Sequence, residues 1–134
     1  MSKVRGYIFS RPFMGERVPQ HVQNLVIRDY CKRNNLQYLL SAAEYAMSDC
    51  HLILDQVLEE LNHIDGIVTY SLFQLPEDYA RRQNIYNMIL ESGRTLHCAV
   101  EGVSMQSHEE RDRLETMWRV RQTLPQCLDC NWLN

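Results

Sequence analysis

Ser10 and Arg11 follow directly on Val4–Phe9, a run of aromatic and β-branched residues. An arginine presents a planar fork of donors that fits a phosphate or a carboxylate. A serine hydroxyl beside it adds a hydrogen bond, or attacks as a nucleophile where a base activates it. Arg17 brings a second cation, and a helix start near Pro19 would add positive potential. His21, on the first turn of that helix, can act as an acid or base near neutral pH. Further on, Glu44 and Tyr45 follow the apolar stretch Leu36–Leu40. Tyr70, Ser71 and Gln74 close or follow Ile67–Tyr70, and Glu101 follows Leu96–Val100. A carboxylate and a phenol brought together can move a proton on a sugar. The expected catalytic set is Ser10, His21, Glu44 and Tyr70. The expected binding set is Ser10, Arg11, Arg17, Tyr45, Ser71, Gln74 and Glu101. Each has a plainer reading beside it: a solvated turn for Ser10 and Arg11, a surface histidine for His21, and loop hydrogen bonding for Glu44, Tyr70 and Glu101. No motif places a base beside Ser10.

These residues gain meaning from the elements that would carry them. Val4–Phe9 reads as a first buried strand. Gln20–Asn34 has helical spacing at Val22, Leu25, Val26 and Tyr30. Leu36–Leu40 is a second strand. Ser48 or Asp49 can cap a helix reaching about Asn62, with Ile53, Val57 or Leu58, and Leu61 facing inward. Ile67–Tyr70 is the clearest strand. A helix over Glu77–Glu91, with Tyr79, Tyr86, Ile89 and Leu90 inward, ends at Gly93. Leu96–Val100 is a fourth strand. The last helix starts at Ser107, runs to about Thr123 and stops at Pro125. Alternation of strands and helices predicts an α/β fold: a three-layer, mainly parallel four-stranded sheet in the flavodoxin-like order 2-1-3-4. Its ligand crevice lies between the exits of strands one and three. Ile8, Leu39, Val68 and Ala99 are expected in the core. His97 and Cys98 are read as structural, and His51, His63 and His108 as solvated.

The 134 residues make one domain, with a C-terminal helix and a short tail. At 45% hydrophobic and 23% charged residues, the chain has the make-up of a soluble globular domain. A net charge of −3 gives no general attraction to nucleic acid. No apolar run is long enough to span a bilayer, so no membrane insertion is expected. The N-terminus has no apolar signal core, and five cysteines, an odd number, read as reduced thiols in the cytoplasm. Cys127-Leu128-Asp129-Cys130 is a lone C-x-x-C with no second pair to complete a zinc site. Neither a metal nor a cofactor is expected. Trp118, with Leu128, Trp132 and Leu133 of the tail, is bulky surface that predicts a homodimer.

Two resemblances follow from longer strings. Gly6-Tyr7 on the first strand, a glutamine-bearing first helix and Asp65-Gly66-Ile67-Val68-Thr69-Tyr70-Ser71-Leu72 resemble the catalytic domain of serine recombinases over about residues 4 to 103. That family opens Gly-Tyr-x-Arg-x-Ser. Here Phe9 stands at the arginine position, and Ser10 comes one residue early. The family's Asp-Arg-Leu-x-Arg after strand three is Phe73-Gln74-Leu75-Pro76-Glu77, so both phosphate-gripping arginines are missing. The resemblance implies a resolvase-like fold without recombinase chemistry. Gly6–Gly15, Val18-Pro19-Gln20-His21-Val22-Gln23-Asn24 and Tyr70-Ser71-Leu72-Phe73-Gln74-Leu75-Pro76 are similar to the sporadic carbohydrate cluster protein family. That resemblance covers the chain to about residue 105. It implies a cytoplasmic role in bacterial surface-polysaccharide biosynthesis, of the O-antigen or capsule type.

The resulting expectation is a protein that binds or modifies an activated sugar or sugar acid, with a sugar or nucleotide sugar as ligand. The alternative is a non-catalytic binding or scaffold subunit on a recombinase-like frame, partnering another protein of the same gene cluster.

Overall fold

A computed structural model describes residues 2–13, 17–47 and 50–132, with side chains to residue 122. Its elements are β1 (Ser2–Ile8), α1 (Gln20–Arg33), β2 (Leu36–Ala43), α2 (Leu52–Glu59), β3 (Gly66–Thr69), α3 (Tyr79–Glu91), β4 (Thr95–Cys98), β5 (Val103–Met105) and α4 (His108–Trp132). The sheet has five strands in the order β2-β1-β3-β4-β5. The first four are parallel and keep the expected 2-1-3-4 order. The fifth corrects the four-stranded expectation: β5 pairs antiparallel with β4, so the sheet is mixed. The cause is local. Gly102 adopts φ 67°, which a glycine tolerates without strain. Its amide bonds the Cys98 carbonyl at 2.9 Å, and the chain returns as a hairpin instead of leaving the sheet.

Alternation along the strands sorts the core onto two faces. Val4, Ile8, Val68 and Ala99 meet Ile27, Tyr30 and Cys31 of α1. On the other face Tyr7, Phe9, Ile67 and Leu96 meet Leu54, Val57 and Leu58 of α2, Ile85, Tyr86 and Ile89 of α3, and Leu114 and Trp118 of α4. Leu39 is only half-buried, because β2 is an edge strand. The β1–β2 register slips at a bulge between Arg5 and Tyr7. There a Cβ on Gly6 would stand 2.2 Å from the Ser41 hydroxyl, so only glycine fits. Tyr38 secures the bulge, its hydroxyl 2.6 Å from Ser41 Oγ and accepting the Ser41 amide at 3.1 Å.

Several helix phases differ from the pattern reading. The buried stripe of α1 is Gln23, Ile27, Tyr30 and Cys31, while Leu25 is 60% exposed. In α3, Tyr79 is exposed and Arg82 is buried. His51, expected in solvent, packs its ring 5.9 Å from that of Phe9 and is buried. The last helix does not stop at Pro125 but reaches Trp132. Trp118 is fully buried, which removes it from the exposed surface invoked for pairing. The reason is Arg82. Its guanidinium lies 4.2 Å from the Trp118 ring and forms a two-pronged pair with Glu115, Nη2 at 3.0 Å. Nη1 also donates to the carbonyls of Pro76 and Glu77, each at 2.9 Å. This buried cation ties α3, the loop before it and α4 together.

His97 and Cys98 are both buried. His97 Nδ1 lies 2.9 Å from the Tyr30 hydroxyl and Nε2 lies 3.0 Å from Thr95 Oγ1. Thr95 donates its own hydrogen to the Asp65 carbonyl. It therefore accepts from Nε2–H, and Nδ1 accepts from Tyr30. Burial lowers the pKa of His97 below its ordinary value.

Candidate functional site

The carboxyl end of β1 is held by one side chain. The Gln23 carboxamide accepts the Phe9 amide at 3.0 Å and donates to the carbonyls of Phe9 at 2.9 Å and Val18 at 2.8 Å. Its oxygen also accepts from Gln74 Nε2 at 2.7 Å. Gln74 in turn accepts the Ser71 amide and completes a capping box on the short 3₁₀ turn Leu72–Gln74. Two buried glutamines thus bridge the exits of β1 and β3, where the open crevice was expected. Gln23 explains the phase of α1: its amide must reach a strand end that would otherwise bury unpaired backbone groups.

The expected site residues separate into two clusters. The first joins the exits of β1 and β2. Ser10 Oγ donates to the Glu44 carbonyl at 2.6 Å, and Arg11 Nη1 donates to the Tyr45 carbonyl at 2.9 Å. The Arg11 guanidinium lies 4.1 Å from the Phe9 ring centroid. Glu44 is 2% exposed. Its carboxylate accepts the Tyr7 hydroxyl at 2.8 Å, the amides of Tyr45 and Ile53 at 3.1 Å and of Leu54 at 3.2 Å, and the Cys50 thiol at 3.6 Å. Burial alone would raise the Glu44 pKa. The Tyr7 hydroxyl and the three amides outweigh it and hold the carboxyl below its usual range. Burial and the same hydrogen bond push the Tyr7 phenol far up. Glu44 is thus an anion that caps the start of α2, where the helix dipole favours negative charge.

The second cluster joins the exits of β3 and β4. Ser71 Oγ donates to Glu101 at 2.9 Å, and the Leu72 amide donates to its other oxygen at 2.8 Å. Tyr70, Ser71 and Glu101 border a cavity of about 170 Å³, completed by Phe13, Phe73, Val100 and Arg121. Phe9 and Phe13 pack edge to face at 5.8 Å, and Phe13 meets Tyr70 at 6.1 Å. These rings stand between the clusters. Among the described residues, the cavity bordered by Tyr70 and Ser71 is lined by neither Ser10 nor Arg11. Gln74 is buried. Arg17 and His21 are exposed near the start of α1, and among the described residues no hydrogen bond joins them to either cluster.

Sequence reasoning missed Gln23, Phe13 and Arg82 as organising residues. For Gln23 the available signal was a polar residue in the i, i+4, i+7 row with Ile27 and Tyr30. Among the described residues, no group of three or more His, Cys, Asp or Glu side chains could hold a metal ion. Cys127 and Cys130 lie outside the described side chains. Among the described residues, no helix is long and apolar enough to cross a membrane.

The architecture is an α/β fold of the kind found in resolvase-type catalytic domains. The N-terminal catalytic domain of TP901-1 integrase superposes with a TM-score of 0.62 at 13% identity, covering 93% of this chain and 98% of that one. A resolvase family site-specific recombinase from Streptococcus pneumoniae gives a TM-score of 0.62 at 12% identity, covering 94% and 97%. No family model and no curated protein sequence matches the chain. The similarity to sporadic carbohydrate cluster proteins therefore rests on the quoted strings alone.

Proposed function

We propose that this chain is a non-catalytic binding or scaffold subunit on a recombinase-like frame, working as a homodimer paired through α4. The observation that carries the reading is the state of the crevice at the ends of β1 and β3. Gln23 and Gln74 bridge it, Phe9 and Phe13 pack edge to face at the end of β1, the Ser10 hydroxyl is donated to a carbonyl, and the Glu44 carboxylate is committed to capping α2. A sugar-modifying enzyme built on Ser10 and Glu44 would need one of those groups free to take or attack, which favours the scaffold reading over it.

The pairing surface is the side of α4 that does not meet the sheet. Phe73, Met117 and Val120 border an apolar hollow of about 280 Å³, and Val120 is 52% exposed. The helix continues to Trp132, and Leu124 and Leu128 follow Val120 in the sequence at helical spacing. Its 25 residues extend about 37 Å. A two-fold pairing of such helices can supply the roughly 1,000 Å² that a stable interface buries. Light scattering on the intact protein, on Val120→Glu and on a chain ending at Pro125 tests the pairing, alongside turnover assays with nucleotide sugars and supercoiled DNA. A dimeric mass that falls in both variants, with no turnover, is expected. A monomeric intact chain at micromolar concentration overturns the pairing, and turnover of either substrate overturns the non-catalytic reading.

A further inference from the structure

We propose that the cavity between the β3 and β4 exits binds a small neutral polyhydroxylated ring. In an open α/β sheet, this is the end at which ligands are taken. The walls define the ligand. Phe13 and Tyr70 meet at an interplanar angle of 78°, so their rings form a corner, and Phe73 adds a third aromatic surface. Such walls favour a ligand with a flat C–H face. Glu101 and Arg121 place opposite charges on the same cavity, which disfavours a net cation or anion and suits a neutral molecule rich in both donors and acceptors. Hydroxyl groups are both.

Glu101 has capacity to spare. Each of its oxygens already accepts one hydrogen bond, from Ser71 Oγ and from the Leu72 amide. A carboxylate offers about four acceptor sites, so two adjacent hydroxyls of a ring can still donate to it. The two internal bonds fix the carboxylate in place before any ligand arrives, which lowers the entropy lost on binding. The cavity of about 170 Å³ holds roughly six waters at ~30 Å³ each, enough for a single ring. Anything larger must extend into solvent past Val100, which is 53% exposed at the rim.

The test is an amide chemical-shift titration of the full chain with myo-inositol and methyl glucoside as neutral polyols, choline as a cation and inorganic phosphate as an anion. Saturable shifts with a polyol, centred on Phe13, Tyr70–Phe73 and Val100–Gly102, are expected. Val100→Trp fills the rim without touching the core and should weaken polyol binding at least about tenfold. Val100→Ala leaves the rim open and should retain it. If Val100→Trp proves unfolded by circular dichroism, the location of the shifts in the wild type decides. No saturable shift with either polyol, shifts centred elsewhere, or a response to choline or phosphate alone overturns the proposal.

Discussion

Replacing Arg82 with methionine tests whether one buried cation holds α4 on the domain. The guanidinium is 3% exposed and its partner Glu115 is 5% exposed. The substitution keeps side-chain length but removes both bonds to Glu115, the bonds to the Pro76 and Glu77 carbonyls and the stacking on Trp118. It strands a carboxylate in the core. Removing one partner of a buried ion pair costs about 3–5 kcal/mol, a large part of the roughly 5–15 kcal/mol that holds a domain. At about 3–5 °C per kcal/mol for a chain of this size, the melting temperature should fall by about 9–25 °C. The double variant Arg82→Met/Glu115→Leu removes both charges and leaves the two carbonyls, and the buried Tyr86 hydroxyl beside the pair, short of a partner, at about 1–3 kcal/mol each if they stay buried. It should therefore be more stable than the single variant. Urea unfolding followed by circular dichroism measures both. A single-variant loss below about 1 kcal/mol, or a double variant no more stable than the single, would refute the argument that this pair anchors α4.

Three further outcomes follow from the same geometry. Gln23→Ala leaves the Phe9 amide and carbonyl buried without their partner and should destabilise the fold by about 2–4 kcal/mol, read from the urea midpoint at unchanged slope. His97 has a folded pKa depressed by burial, so the unfolded chain binds the proton more readily. Its contribution is present above the ordinary histidine value of about 6.5 and is lost as pH falls from there toward the folded value; His97→Gln should flatten stability over that window, and an unchanged pH profile would count against it. Glu44 likewise has a depressed folded pKa. Its stabilisation is present above the unfolded carboxylate value of about 4.3 and is lost as pH falls through the folded value, so wild type and Glu44→Gln should converge in acid and separate above it.

The alternating pattern of short β-branched runs and helical stretches was enough to name an α/β fold, the order of its first four strands and the burial of Ile8, Val68 and Ala99. These features depend on local periodicity and on the handedness of crossovers, both of which a linear chain displays. The mixed sheet was less visible, because it hangs on one glycine turn at Gly102 that reads equally well as a loop. What no periodicity could show is which distant groups meet. Gln23 finds Phe9 and Gln74, Arg82 finds Glu115, and Ser10 finds Glu44 only once the helices cross the sheet. Those meetings decide the chemistry. A serine and a glutamate at strand ends look available in sequence, but in the folded chain the unmet hydrogen-bonding needs of a buried strand end and a helix start claim them first. The same physics rotates α1 away from its most apolar face and draws Trp118 inward beneath Arg82, because burying a polar group with its partner outweighs following the apolar stripe residue by residue.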